Sequence, residues 1–204
     1  MQGRLFNARQ PLAVSYGGGV DSTAMLIEFA AQGITPDLIL FADTGDEKSE
    51  TYEYIGYFSK WLRRKGLPPI TTVRYEVGNF KHWPPYHSLL ENCLTNGTLP
   101  SPAFGGIHSC SQKWKIAPQD KYVNAWQPAI DCWLSGKKVR KAIGYDASVR
   151  DQARASRYAV KYGGSDEKYE YWYPLIDWGW DRDACIARIK RQRLRVPVKS
   201  ACFY

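Results

Sequence analysis

The residues with the strongest potential for chemistry lie in a glycine-rich segment near the N-terminus. Residues 11–23 read PLAVSYGGGVDST: an apolar run ends at Ser15-Tyr16, three glycines follow, and Asp-Ser-Thr comes next. Consecutive glycines let the backbone approach a bulky anion closely. A helix that begins here adds unpaired N–H groups and the positive end of its dipole. The segment therefore predicts a phosphate-binding turn between a strand and a helix.

Two common phosphate motifs do not describe this segment. A Walker A loop needs Lys followed by Ser or Thr after its glycines, and no such pair is present. The dinucleotide fingerprint GxGxxG needs small residues where this chain has Asp21 and Ser22. A plain strand–helix turn is the alternative, but three glycines followed by Asp-Ser-Thr exceed what such a turn requires.

The elements around the glycines predict an α/β fold in one domain, residues 1–204. Strands are expected at 11–16, 38–41, 70–77, 138–145 and 171–176, and helices at 22–32, 47–65, 86–95 and 181–193. A further helical stretch is expected from 108, starting again at Pro118 and running to about Trp126. Because strands and helices alternate, we expect parallel pairing with right-handed crossovers. The result would be a three-layer sandwich around a central, mostly parallel, five-stranded sheet. Asp21 or Ser22 is expected to cap the first helix, and Gly33 to end it.

Composition and charge favour an anionic partner. The chain has 204 residues, of which 44% are hydrophobic and 24% charged, and its net charge is +8. A basic balance favours nucleotides or nucleic acids as partners. No apolar run approaches the roughly 20 residues that a membrane span needs, and the first ten residues lack the apolar core of a secretory signal. We therefore expect a cytoplasmic protein that does not bind membranes.

Two regions depart from the regular alternation of strands and helices. Residues 78–107 are rich in Pro, Gly and Asn and predict an irregular insertion. His82 and His87 lie there without an obvious third metal ligand, so we interpret them as surface or packing residues. The segment 181–204 contains the densest basic cluster of the chain, which is either a solvated helix face or a contact for RNA or DNA.

The cysteine pattern excludes two common architectures. The five cysteines are widely spaced and form no CxxC pair. This pattern argues against a disulfide scaffold and against a zinc site built by this chain alone. The cysteines are Cys93, Cys110, Cys132, Cys185 and Cys202.

Residues 17–22, GGGVDS, resemble the SGGxDS loop of the PP-loop ATP pyrophosphatases and the related PAPS reductase-like proteins (adenine nucleotide alpha hydrolase-like). Gly17 stands where that family usually has Ser, which removes one hydroxyl donor to phosphate. Three later segments are similar to the same family. They are Asp43-Thr44-Gly45 with Glu50-Thr51, then Cys110-Ser111 with Lys115, and Gly144 to Arg150. The resemblance implies a Rossmann-type PP-loop fold.

The resemblance also implies a site for ATP and Mg²⁺. Backbone N–H groups of the loop would hold the β,γ-phosphates, and main-chain groups after the second strand would hold the adenine. Either Asp21 or Asp43 would hold Mg²⁺, while Lys115 and Arg150 would offset charge on the α-phosphate. The implied nucleotide contacts are Ser15, Tyr16, Gly17, Gly18, Gly19, Val20, Asp21, Ser22, Thr23, Phe41, Ala42, Asp43 and Gly144.

Two cysteines are further candidates for catalysis by this resemblance. Cys110 and Cys202 would act as sulfur carriers or as part of an iron–sulfur site, although two ligands do not make a cluster. PAPS reductase-like sequences often continue to a second cysteine in a CxxCP pattern, where this chain has Cys202 alone. A sulfur-donor protein is then an expected partner.

Three functions fit the resemblance. The first is an Mg²⁺-dependent ATP pyrophosphatase that adenylylates an acceptor, such as a nucleic acid, for sulfur transfer or a similar modification. The second is a sulfonucleotide reductase acting on PAPS or APS, but the ECGxH element of such reductases is absent. The third is a relative that binds nucleotide or nucleic acid without turnover. We favour the first, because Asp21-Ser22 resembles the ATP-cleaving form of the loop.

Overall fold

The computed structural model describes residues 9–76, 85–99, 110–161 and 166–199. The predictions made for His82 and Cys202 concern residues outside these ranges. Among the helices of the described ranges, none combines the length and the apolar composition needed to cross a membrane.

A five-stranded parallel sheet forms the centre of the protein. The strand order is β3-β2-β1-β4-β5, and every neighbouring pair in this order runs parallel. The expected α/β class and parallel sheet are therefore confirmed. The strands are β1 (Leu12–Ser15), β2 (Leu38–Asp43), β3 (Ile70–Arg74), β4 (Val139–Ile143) and β5 (Tyr169–Trp172).

The helices connect these strands and cover the sheet. They include one short π-helix, Ser111–Ile116, which runs directly into an α-helix. The α-helices are α1 (Val20–Gln32), α2 (Ser49–Arg64), α3 (Leu89–Asn96), α4 (Ala117–Asn124), α5 (Gln127–Leu134), α6 (Val149–Lys161), α7 (Pro174–Asp177) and α8 (Arg182–Arg191).

The sheet has a hydrophobic core on each face, because successive side chains of a strand point to opposite faces. Val14 and Phe41 pack on one face in a core that includes residues of α1, α2, α7 and α8. Ala13 and Leu40 pack on the other face with residues of α4 and α5. Helices thus cover both faces, and the expected three-layer arrangement is confirmed.

The strand order places a switch point beside the glycine-rich segment. Val14 of β1 pairs with Ile39 of β2 on one side and with Ala142 of β4 on the other. The chain therefore leaves β1 in one direction along the sheet and returns to its other side only at β4. In open α/β sheets, ligands bind at the carboxyl ends of the strands at such a point.

The boundaries predicted for the last strand are wrong for a local reason. The strand predicted at 171–176 is instead β5 at Tyr169–Trp172, and Pro174 begins the short helix α7. Proline has no N–H for a strand ladder but suits the first turn of a helix. The helical stretch that was predicted to start again at Pro118 is a π-helix followed by α4, which begins at Ala117. Helix α5 was not predicted.

The caps give a mixed result. Gly33 ends α1 with φ +69°, so this prediction is confirmed. Asp181 caps α8 by accepting a hydrogen bond from the N–H of Ala184 at 2.8 Å. The prediction that Asp21 or Ser22 caps α1 is wrong. The helix begins two residues earlier, at Val20, and its cap residue is Gly19, which has no side chain to bond the first N–H groups.

Candidate functional site

The turn between β1 and α1 is tightly packed and depends on glycine. Gly18 has φ +70°, a conformation that favours glycine. A Cβ atom at Gly18 would lie 3.1 Å from Cγ2 of Thr51 on α2. Close packing against α2 therefore fixes the path of the backbone through this turn.

The start of α1 leaves its first N–H groups without a side-chain cap. The first N–H groups of a helix have no partner within it, and Gly19 supplies none. Ser22 Oγ accepts from the N–H of Gly17 at 3.3 Å and donates to the Gly19 carbonyl oxygen at 3.4 Å, which closes the loop on itself. The loop is thus a preformed turn whose helix end can receive an anion.

The end of β4 lies directly against this helix start. A Cβ atom at Gly144 would lie 2.8 Å from both N and Cα of Ser22. Contacts that short do not occur with real side chains, and the atoms met are backbone. Gly144 was expected to contact nucleotide; in the structure it lets β4 touch the first turn of α1.

Asp21 lies in the first turn of α1, in a strongly charged environment. Its Oδ2 is 3.5 Å from Nη1 of Arg182, and its Oδ1 is buried without a hydrogen-bond partner among the described residues. Burial raises the pKa of Asp21 to about 6, Asp146 and Asp151 also raise it, and Arg182 and Arg154 oppose the rise. The ionised carboxylate therefore gains from any cation placed beside it.

Two further buried oxygens near this edge lack partners within the described ranges. They are Oε2 of Glu47, in the loop after β2, and Oγ1 of Thr51, whose methyl group contacts the Gly18 position. Leaving such a group unpaired costs about 1–3 kcal/mol. Asp21 and Thr51 belong to or contact the glycine loop, so a hydrogen-bond donor or a cation bound at the loop could pair with their free oxygens.

Asp43 has a different environment from Asp21. Its Oδ2 accepts hydrogen bonds from Arg74, through Nε at 2.8 Å and also through Nη2. Its Oδ1 accepts from Tyr52 Oη at 2.7 Å and from the Gly45 N–H at 2.9 Å. Both oxygens of this buried carboxylate are engaged, so of the two candidate Mg²⁺ ligands Asp21 is the one with an unpaired oxygen.

Several expected contact residues have side chains that face the core. Tyr16 Oη and Thr23 Oγ1 hydrogen-bond each other at 3.1 Å, and the Tyr16 ring stacks on Phe58. Burial raises the pKa of Tyr16. Phe41 and Ala42 are also buried. These four residues can offer a ligand their backbone, but the structure uses their side chains in packing.

The positive side chains expected near the phosphates lie on separate elements. Lys115, on the π-helix, has its Nζ 3.0 Å from Oε1 of Glu47. Arg150 is exposed in the first turn of α6, which follows β4. Short π-helical segments are frequent at functional sites.

Ser15, another expected contact residue, is paired within the protein: its Oγ donates to Oε1 of Gln119 on α4 at 2.7 Å.

Cys110 precedes the π-helix and lies near a second thiol. Cys110 and Cys93 both pack against a small buried cluster that contains Trp114. Burial and the neighbouring Cys110 raise the pKa of the Cys93 thiol. The sequence did not single out Cys93, since 16 other residues separate the two thiols along the chain.

The remaining described cysteines are remote from this pair. Cys132 and Cys185 are fully buried in the cores on opposite faces of the sheet. Iron–sulfur clusters as a rule take four cysteine thiolates, and residues 9–76, 85–99, 110–161 and 166–199 contain no group of three or more potential metal ligands. The described thiols therefore do not fit a cluster, and Cys202 lies outside these ranges.

Lys113 anchors the π-helix through an aromatic enclosure. Its Nζ lies 5.1 Å, 4.6 Å and 5.7 Å from the ring centroids of Tyr75, Tyr86 and Trp114. It also donates to Tyr86 Oη at 2.9 Å and to Asn92 Oδ1 at 3.2 Å. These contacts tie the end of β3 and helix α3 to the segment that carries Lys115.

We expect Lys113→Met to lower the free energy of unfolding by about 1–3 kcal/mol, because it removes two charged hydrogen bonds and the cation–π contacts. Urea denaturation followed by tryptophan fluorescence measures the loss. Lys60→Met is the matched control, since Lys60 is exposed on α2. Equal stability of the two variants would show that the enclosure does not stabilise the fold.

The structure adds residues to the site that sequence reasoning missed. Glu47, Arg182 and Gln119 each contact an expected site residue from another element. Arg182 reaches Asp21 because α8 packs along α1. From the sequence, Arg182 could be identified only as the first residue after the cap of α8. No local pattern indicated that α8 would pack against α1.

Comparison with known proteins supports the fold. No protein-family model matches the chain, and no curated protein does. Among solved structures, it is similar to the U34-tRNA thiolase NcsA from Methanococcus maripaludis with its 4Fe–4S cluster, with a TM-score of 0.55 and 18% identity. The match covers 98% of this chain and 62% of the thiolase, so the chain spans less than two thirds of that protein. This likeness shows that the present chain shares a Rossmann-like α/β fold with that solved structure.

Proposed function

We propose that this chain binds ATP at the glycine loop and acts as an Mg²⁺-dependent ATP pyrophosphatase that adenylylates an acceptor for sulfur transfer or a similar modification. One observation carries the proposal. At a helix start capped only by Gly19, two buried oxygens lack partners among the described residues: Asp21 Oδ1 in the first turn and Thr51 Oγ1, whose residue contacts the Gly18 position.

The phosphates of ATP would bind to the backbone of residues 18–22. Gly18 and Gly19 present no side chain there, and the first N–H groups of α1 lie at the positive end of the helix dipole. Gly144 lets β4 support this turn from the other side. The loop therefore needs little rearrangement to receive an anion.

Asp21 suits Mg²⁺ better than Asp43. Proteins usually hold Mg²⁺ through one or two carboxylates together with substrate phosphates and waters. Asp21 offers an unpaired buried oxygen at the phosphate loop, whereas Asp43 already accepts bonds from Arg74, Tyr52 and Gly45. Bound Mg²⁺ would neutralise charge on the leaving pyrophosphate.

Positioning and charge would supply most of the catalysis. Lys115 and Arg150, carried by elements on either side of the loop, would offset the charge that develops at the α-phosphate. We assign no general base. Adenylylation suits such a site, because holding the acceptor in line with the α-phosphate accounts for a large part of the rate.

A nucleic acid is the proposed acceptor. Arg182 and Arg154 are close enough to influence Asp21, and both are about half exposed. The net charge of +8 also favours a nucleic acid as partner. The similar solved protein is by name a tRNA thiolase. A sulfur-donor protein would complete the reaction, with Cys110 and Cys202 as proposed sulfur carriers.

Product analysis tests the proposal. The protein is incubated with ATP and Mg²⁺, with and without mixed RNA or DNA, and nucleotides are separated by chromatography. We expect pyrophosphate, with the AMP moiety either attached to the nucleic acid or released from it by water, and binding of nucleic acid that weakens as salt rises. ADP and phosphate as products would contradict the proposal, as would sulfite formed from PAPS with thioredoxin.

A further inference from the structure

Glu47 is a buried acid that no sequence motif singled out. Its side chain is 1% exposed, and its Oε1 lies 3.0 Å from the Nζ of Lys115, whose side chain is 38% exposed. Glutamates are almost never fully buried unless they are paired. The burial of Glu47 therefore requires a partner, and Lys115 is that partner.

Glu47 is itself held from two sides. Its backbone N–H donates to Tyr52 Oη at 3.4 Å, and its Oε1 accepts from Thr44 Oγ1 at 3.4 Å. Tyr52 Oη in turn donates to Asp43, which Arg74 also contacts. Burial, followed by the hydrogen bond to Asp43, raises the pKa of Tyr52 to about 12, so its hydroxyl stays protonated and remains a donor.

This network reduces the rotamer entropy that the Lys115 side chain must lose when a ligand binds. A free lysine side chain loses rotamer entropy when it is ordered. Because Glu47 already contacts the ammonium group, part of that ordering is present before ligand arrives. Preorganised charges of this kind favour binding and catalysis.

We propose that Glu47 is a positioning residue that holds the Lys115 ammonium group at the phosphate site. The proposal rests on the proposed function, in which Lys115 contacts phosphate. The second oxygen of Glu47, Oε2, is buried without a partner among the described residues.

A double-mutant cycle on ATP affinity tests the proposal. The variants are Glu47→Gln, Lys115→Met and the double variant, with affinity measured by titration calorimetry in the presence of Mg²⁺. We expect Lys115→Met and Glu47→Gln each to weaken binding about tenfold. The double variant should be no weaker than Lys115→Met alone, because Glu47 acts only through Lys115.

Glu53→Gln is the matched control, since Glu53 is exposed on α2, and it should leave affinity unchanged. Urea denaturation of each variant shows whether the fold persists; if Glu47→Gln does not fold, Glu47→Asp replaces it. Losses that multiply in the double variant, or normal affinity of Glu47→Gln, would overturn the role of Glu47 while leaving the proposed function intact. Normal affinity of Lys115→Met would overturn the role of Glu47 and the contact of Lys115 with bound phosphate, whereas no ATP binding by the wild type would overturn the proposed function as well.

Discussion

Asp21→Asn is expected to make the protein more stable above pH 6 and to reduce pyrophosphate release by about 100-fold or more. Burial is the main cause that raises the pKa of Asp21 to about 6. At higher pH the folded protein must carry a desolvated carboxylate, whose cost approaches about 3 kcal/mol. Asparagine has no charge to desolvate, but it also removes the proposed Mg²⁺ ligand.

The sign of the pH dependence follows from the raised pKa. Below the ordinary pKa of an aspartate the carboxyl is neutral in both the folded and unfolded protein, so Asn should give no advantage there. The stability advantage should grow as the pH rises from the ordinary aspartate pKa to about 6 and level off above that, so it should be about 1 kcal/mol larger at pH 8 than at pH 5. Urea denaturation at the two pH values measures it.

Glu53→Gln, which removes an exposed carboxylate on α2, should show no gain in stability between pH 5 and pH 8. A loss of stability in Asp21→Asn at pH 8 would mean that the protein stabilises the Asp21 carboxylate, contrary to the desolvation cost that we infer. Normal pyrophosphate release by this variant would remove Asp21 from the catalytic site.

Gly144→Ala is expected to cost about 2 kcal/mol of unfolding free energy and to weaken ATP binding by about 100-fold. The added Cβ would lie 2.8 Å from backbone N and Cα of Ser22, so either β4 or the first turn of α1 must move. Overpacking of this kind typically costs 1–3 kcal/mol. A displaced helix start would also misplace the N–H groups proposed to hold phosphate.

Gly56→Ala is the control for this variant. Gly56 lies within α2, and a Cβ there would meet nothing within 4 Å, so alanine should stabilise the helix by about 0.5–1 kcal/mol. Calorimetric titration with ATP and urea denaturation of both variants give the comparison. Wild-type affinity in Gly144→Ala would show that the loop does not depend on contact with β4.

The features that the sequence predicted well are local. A short apolar run followed by glycines marks a strand and a turn wherever they lie in space, and the fully buried β2 reads as a continuous apolar segment. The alternation of such strands with helices was enough to predict the parallel sheet. The last strand was predicted too far along the chain, because the apolar run continues past Pro174 into Leu175 and Ile176.

The partners of each site residue could not be predicted from the local sequence. Asp43 was a candidate Mg²⁺ ligand from its place after β2, but its partners Arg74 and Tyr52 come from β3 and α2. Glu47 meets Lys115 across 67 intervening residues. Long-range pairing of this kind depends on how the layers pack, which no local pattern records.

A structure with a non-hydrolysable ATP analogue and Mg²⁺ tests the central claim most directly. The account predicts that the phosphates contact the backbone N–H groups of residues 18–22, with Asp21 facing the metal and Lys115 within hydrogen-bonding distance of phosphate. A nucleotide bound elsewhere on the protein, with the glycine loop empty, would contradict it.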